Sequence, residues 1–212
     1  LGEAVFKGGY VWPSNHTALA VLSSFVRHDL GSSYGLTRYD ALENRAYVGL
    51  VLTQDLDPEA KHVINTGVSF FYDGFDEEFN RTGKNRHESV PGIFAEYTFK
   101  PFDKLTAMAG LRWDDHNLFG SFVTPRAHFR YQPDPRLTFR ASAGKGYRTA
   151  NVLAENSHLF SNSRNLVFDE AVWEEAWNYG ISLIQQYKVA ERNLSITAEF
   201  YRTDFEKQLV VD

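Results

Sequence analysis

The sequence predicts an all-β chain: an antiparallel up-and-down transmembrane β-barrel wall, about ten strands of it. Three observations carry that expectation. Apolar and polar residues alternate along most segments, which is the two-residue period of a strand. The alternating runs are roughly 10 residues long, near the ~9–11 of a tilted membrane-spanning strand and above the soluble mode of about 5–6. Short Pro/Asp turns sit at one end of the runs and long polar loops at the other, as in membrane barrels with short periplasmic turns and long extracellular loops. A Greek-key sandwich has no reason to keep that asymmetry.

The elements follow in order. Alternation is weak from Leu1 to Val11, and Pro13-Ser14-Asn15 makes a short turn. The second strand covers Thr17 to Arg27, with Ala18, Ala20, Leu22 and Val26 as its apolar side, and a long connection runs from His28 to Asn44. The third, Arg45 to Thr53, sets Ala46, Val48, Leu50 and Leu52 against Arg45, Gly49 and Thr53. After a turn at Asp55–Glu59, the fourth runs from His62 to Tyr72, with Ile64, Val68, Phe70 and Tyr72 opposite Asn65, Gly67 and Ser69. Asp73 to Val90 reads as a long hydrophilic loop, and its acids as a solvated cluster, because their spacing fits no EF-hand.

The fifth strand is Gly92 to Lys100, and Pro101-Phe102-Asp103 turns it into the sixth, Lys104 to Asp114. A compact loop around Asn117 to Gly120 leads to the seventh, Phe122 to Tyr131. The turn Pro133-Asp134-Pro135 opens the eighth, which runs from Leu137 through Gly144-Lys145-Gly146 to Thr149 and then breaks into a polar and aromatic excursion. The ninth starts near Ala176, and the tenth spans Leu194 to Phe205. Tyr97, Phe99, Trp113, Tyr131, Trp177 and Tyr187 lie near strand ends, where interfacial girdles collect aromatics.

Composition narrows the classes. Aromatics reach 15%, with one Met and no Cys, which favours strands and removes disulfides and thiolate metal sites. A net charge of −5 with mixed signs gives no basic footprint for nucleic acid. The histidines are scattered without HxH or HxxxH pairs, and no GxSxG or P-loop is present, so the expectation is no metal, no cofactor and no enzyme. Leu1 begins in mid-pattern, and Gln208 to Asp212 stops inside what reads as a strand, so the sequence reads as a piece of a longer polypeptide.

From Pro91 to Asp212 the chain resembles the barrel of TonB-dependent outer-membrane receptors, the active importers of Gram-negative bacteria. The stretches that carry the resemblance are PGIFAEYTF, LTAMAGLRWDDH, TPRAHFRYQPDPRLTFRASAGKGYRTANVLAEN, EEAWNYGISL and AEFYRTDFEKQLVVD. The most specific is the Arg-rich strand ending in Gly146-Tyr147-Arg148, followed by a loop and a Glu before the next strand. The first 90 residues match only in strand and loop pattern.

The resemblance implies a larger, 22-strand barrel filled by an N-terminal plug and driven by the TonB complex through that plug. Residues 1–212 would then be part of one β-barrel domain, with the plug and the barrel-closing strands absent. The implied partners are the plug, TonB, outer-membrane lipid and a scarce ligand: a siderophore, cobalamin or other metal chelate. Glu96, Arg112, Arg126, His128, Arg130 and Arg140 are expected on the plug-facing lumen. Tyr147, Arg148, Asn151, Glu155, Phe75 and Asp76 are expected as ligand-binding rim residues. Two other readings stand beside it: a passive or structural outer-membrane barrel, and a soluble β-rich binding domain with a dry core.

Overall fold

The computed structural model describes residues 1–35, 37–157, 160 and 171–210. They form one ten-stranded antiparallel sheet in sequence order, in which every strand pairs with its chain neighbours and β1 and β10 pair on one side only. The strands are β1 Gly2–Trp12, β2 Thr17–Tyr34, β3 Thr37–Asp55, β4 His62–Phe79, β5 Thr82–Phe102, β6 Leu105–His116, β7 Gly120–Asp134, β8 Leu137–Thr149, β9 Trp173–Val189 and β10 Arg192–Lys207. A 3-10 turn, Pro13–Asn15, joins β1 to β2, and a one-turn helix, α1 (Val152–Glu155), follows β8. The rest of the expected excursion, 158–159 and 161–170, lies outside the described residues.

The short turns do share one end. At the other end the strands run much further than the alternation suggested. Most of the segments read as connections at 28–44 and 73–90 are paired strand, so that β4 and β5 stay in register from His62↔Phe99 to Phe79↔Thr82. Asn80 and Arg81 close this hairpin with positive φ at both positions, the two-residue geometry that matches strand twist. Past the apolar band both faces of a hairpin can be polar, so pairing persists where hydrophobic alternation has stopped. At the chain's end the opposite correction applies. β10 ends at Lys207, and the Leu209 N–H donates to Glu174 at 3.1 Å rather than to a ladder.

Register fixes which face is which. One row runs Val21↔Leu50↔Val68↔Ile93↔Trp113↔Val123 across six strands. Leu50, Val68, Ile93 and Val123 in that row are 42–54% exposed, although a soluble sheet would bury them. Among the described residues no second layer covers this face, which removes the dry-core arrangement. The same row corrects β2. Its contribution to the apolar face is Leu19, Val21 and Phe25, while Ala18, Ala20, Leu22 and Val26 share the opposite face. Both faces of β2 are apolar, so only pairing with Leu50 and Leu52 could decide.

Aromatic pairs mark the edges of the apolar band. His62 stacks with Phe99 at 4.9 Å and Tyr131 with Phe139 at 6.5 Å near the short turns. Tyr72 stacks with His87 at 6.4 Å at the other edge. Above Tyr72 the same face of β4 carries Gly74, Asp76 and Glu78, so the apolar span of that strand is His62 to Tyr72. On the opposite face, Gly67 lies across from Phe94, whose ring fills the place of the missing side chain.

Candidate functional site at the outer end of the sheet

Strand β8 parts from β7 at a definite point. The last β7–β8 pair is Arg126↔Gly144, yet β8 stays paired to β9 as far as Thr149↔Trp173. Gly144 and Gly146 flank this departure, and small residues there let the strand turn away. Aromatic rings fill the gap: Phe122 stacks on Tyr147 at 3.9 Å, and Phe119 lies 5.0 Å from Trp173. The β6–β7 tip is too short to obstruct the chain, which crosses above it to the polar face of β5, β4 and β3.

Three contacts seat the crossing segment. The Thr149 hydroxyl donates to Glu88 at 2.9 Å, and the Arg86 guanidinium donates to the Asn151 side-chain carbonyl at 2.5 Å. Leu153, together with Phe160, is buried against Tyr39, Ala41 and Phe75. Arg148 clamps the segment to its own strand pair. It donates twice to Glu155, both at 2.9 Å, and once to Glu174 at 2.8 Å. Glu155 also accepts the Asn151 N–H at 3.1 Å.

Beneath the crossing lies a cavity of about 480 Å³, lined by charged and aromatic residues of β3 to β6 and by Tyr147, Arg148 and Asn151. Its ionic groups are layered. Arg86 pairs with Glu88 at 2.6 Å, Arg112 with Asp114 at 2.5 Å, and Arg45 with Glu43. His116, almost fully buried, accepts the Leu118 N–H through Nδ1, and its Nε2 lies 3.2 Å from Glu88. With Nδ1 accepting, the proton belongs on Nε2, which donates to Glu88. This is a polar, shaped hollow with aromatic walls, the makings of a small-molecule site.

The family model for the TonB-dependent receptor-like β-barrel matches residues 5–212. The chain belongs to that family. Solved structures of similar fold include the alcaligin outer-membrane receptor FauA of Bordetella pertussis (15% identity, 99% of this chain, 37% of that chain, TM-score 0.65). The siderophore receptor PirA of Pseudomonas aeruginosa (14%, 92%, 40%, 0.60) and the ferric yersiniabactin uptake receptor FyuA of Yersinia pestis (11%, 95%, 35%, 0.58) are also similar. The chain thus spans 35–40% of the length of these three. No curated protein matches it in sequence.

In this TonB-dependent receptor barrel wall the sequence-expected residues fall as follows. Glu96, Arg112, Arg126, His128, Arg130 and Arg140 all lie on the polar face, with Arg126 paired to Glu96 at 2.6 Å. His128, Arg130 and Arg140 line a separate hollow of about 310 Å³ nearer the short turns. Tyr147, Arg148, Asn151 and Glu155 are brought together at the outer end. Phe75 is not in the cavity but under the crossing segment, with the Arg86 guanidinium 5.2 Å over its ring. Asp76 occupies the opposite face of β4, away from all of these.

The acids expected in a solvated loop divide the same way. Asp73 and Glu77 point to the polar face and are buried, whereas Glu78 is exposed. Sequence reading missed Tyr39, Asp73, Glu77, Arg86, Glu88 and His116. The signal was present in Asp73, Phe75 and Glu77, which recur every second residue, but it needed the segment to be read as strand.

Tyr39 is fully buried and donates to Glu77 at 2.7 Å. Burial raises the Glu77 carboxyl above its ordinary value, and the Tyr39 hydroxyl pulls it back. Removing that donor in Tyr39→Phe raises it further and leaves the charged form unsatisfied, at a cost of about 1–3 kcal/mol at pH 7. Because the penalty falls on the ionised form, it shrinks as the pH drops and Glu77 takes up its proton. Thermal unfolding of wild type and variant at pH 7 and pH 5 checks this; an equal loss at both would refute it.

Proposed function

We propose that residues 1–212 are part of the barrel domain of an importer in the bacterial outer membrane, with the plug and the closing strands supplied by the rest of the parent protein. The proposed activity is TonB-dependent uptake of a scarce ligand such as a ferric siderophore, cobalamin or another metal chelate. The observation that carries the reading is the aromatic and charged cavity at the outer end of the sheet, roofed by the β8–β9 crossing and open to the polar face. A structural barrel has no use for such a hollow. On this reading the apolar face meets lipid, and the polar face meets the plug through Glu96, Arg112, Arg126, His128, Arg130 and Arg140.

Tyr147, Arg148, Asn151 and Glu155 form the ligand-facing rim, with Phe75 holding the crossing segment from beneath and Asp76 contributing from the other face of its hairpin. The test is uptake of radiolabelled iron chelates by cells expressing the complete receptor, with and without functional TonB. Accumulation that requires both receptor and TonB is the expected result. Uptake unchanged without TonB would replace this reading with a passive channel.

A second expectation concerns the clamp. Arg148→Ala releases Glu155 and Glu174 together, so chelate binding to whole cells should weaken by about tenfold or more, equivalent to about 1.4 kcal/mol. Arg148→Lys keeps the charge but loses the two-pronged contact with Glu155, and should fall between. Identical affinity in all three proteins would take Arg148 out of the site.

A further inference from the structure

Two arginines face each other across the β7–β8 ladder on the polar side of the sheet. Arg130 and Arg140 are register partners, which sets their Cα atoms about 5 Å apart. Like charges directly opposite one another destabilise a sheet. Among the described residues neither arginine forms an ion pair, and Arg130 donates only to Gln132 of its own strand. Both residues are exposed, so their guanidinium groups can be reached from the polar face.

The hollow of about 310 Å³ at this pair is lined by two guanidinium groups and the His128 ring against one carboxylate, Glu199. Glu199 stands two strands from Arg140, beyond Ser182, and pairs with neither arginine. Further toward the outer end of the same face, Glu96 is already committed to Arg126 at 2.6 Å. The polar neighbours bring hydroxyl donors: Thr106 lies across from Arg130, and Ser142 across from His128. Guanidinium forks match the geometry of carboxylate and phosphate oxygens, and hydroxyls can donate beside them.

We propose that Arg130 and Arg140 form a seat for one oxyanion, a carboxylate or a phosphate group, held between their guanidinium groups. An oxyanion there turns a cross-strand repulsion into charge-assisted hydrogen bonds on both sides. Its source is either a carboxylate side chain of the receptor's own plug or a free oxyanion in the lumen. The inference rests on the import reading for the first of these sources.

The test uses the complete receptor in detergent and reads its thermal unfolding midpoint, in inorganic phosphate or in chloride at equal ionic strength. The variants are Arg140→Gln and Arg140→Glu, with Arg136→Gln in the adjoining turn as a control. A midpoint raised by phosphate in wild type and Arg136→Gln, but not in Arg140→Gln, establishes a seat open to solute. No such Arg140-dependent rise, with the midpoint several degrees lower in Arg140→Gln and lower still in Arg140→Glu, establishes a seat filled by the receptor's own carboxylate. The sign decides. With no oxyanion between the arginines, Arg140→Gln relieves their repulsion and Arg140→Glu gives Arg130 a partner, so both midpoints hold or rise. That result, or any other pattern without an Arg140-dependent phosphate effect, overturns the proposal. Neither arm reads uptake, so its failure and that of the import reading are separable.

Discussion

Val68→Arg is expected to block insertion of the barrel into lipid. Val68 sits in the middle of the apolar span His62 to Tyr72, half exposed, with Leu50 and Ile93 paired on either side. Neither of these two paired neighbours offers a polar group. A charged side chain at the bilayer midplane of such a barrel costs about 2–4 kcal/mol, and less near the interfaces. The same charge added on the other face, as in Thr98→Arg, enters the wet side and should cost far less. Electrophoresis of unboiled samples after refolding into lipid vesicles separates folded from unfolded protein. Loss of the heat-shifted band for Val68→Arg, with retention for Thr98→Arg, is the predicted pair of results. Equal folding of both would mean that the exposed row does not face lipid.

Gly67→Ala should destabilise the sheet although it adds a single methyl group. A Cβ at residue 67 would collide with the Leu50 carbonyl oxygen, which is backbone, and would lie 2.7 Å from the Phe94 ring. Neither can yield freely, because Leu50 is held in the ladder and Phe94 stands directly across the register. Overpacking of this kind costs about 1–3 kcal/mol. The double variant Gly67→Ala/Phe94→Ala removes half of the obstruction and should recover part of the loss. Urea titration of the refolded barrel measures both, and a single variant as stable as wild type would show that the ring is not packed on residue 67.

These two positions show what the sequence made legible. Val68 was readable because Ile64, Val68, Phe70 and Tyr72 alternate with Asn65, Gly67 and Ser69, a pattern interrupted by Thr66 on one face and Phe71 on the other. Gly67 was readable only as polar-side, since its partner comes from a strand 27 residues away and register is a long-range property. Asp73, Glu77 and Glu88 failed for a related reason. Above the lipid, no solvent difference separates the two faces of a hairpin, and the period that announces a strand fades while the backbone pairing continues. Tyr147 and Arg148 were found because a glycine pair interrupts a strongly patterned strand beside them. Their partners Glu174 and Phe122 stand about 25 residues away in sequence, where no local pattern marks them.

The unequal strand lengths shape the mouth of the barrel. β5 has 21 residues and β6 has 12. At about 3.3 Å per residue these strands run about 70 Å and about 40 Å. Tilted by ~40°, they stand roughly 50 Å and 30 Å tall against an apolar band of about 25 Å. The skyline therefore drops by about 20 Å between adjacent hairpins, from a parapet raised by β2 to β5 to a sill at the β6–β7 tip. The parapet is stiff, because ladder hydrogen bonds rather than loop side chains hold it upright. A bulky visitor such as an antibody or a phage fibre would meet the parapet first, and a small solute arriving sideways over the sill would reach the cavity with the shortest path.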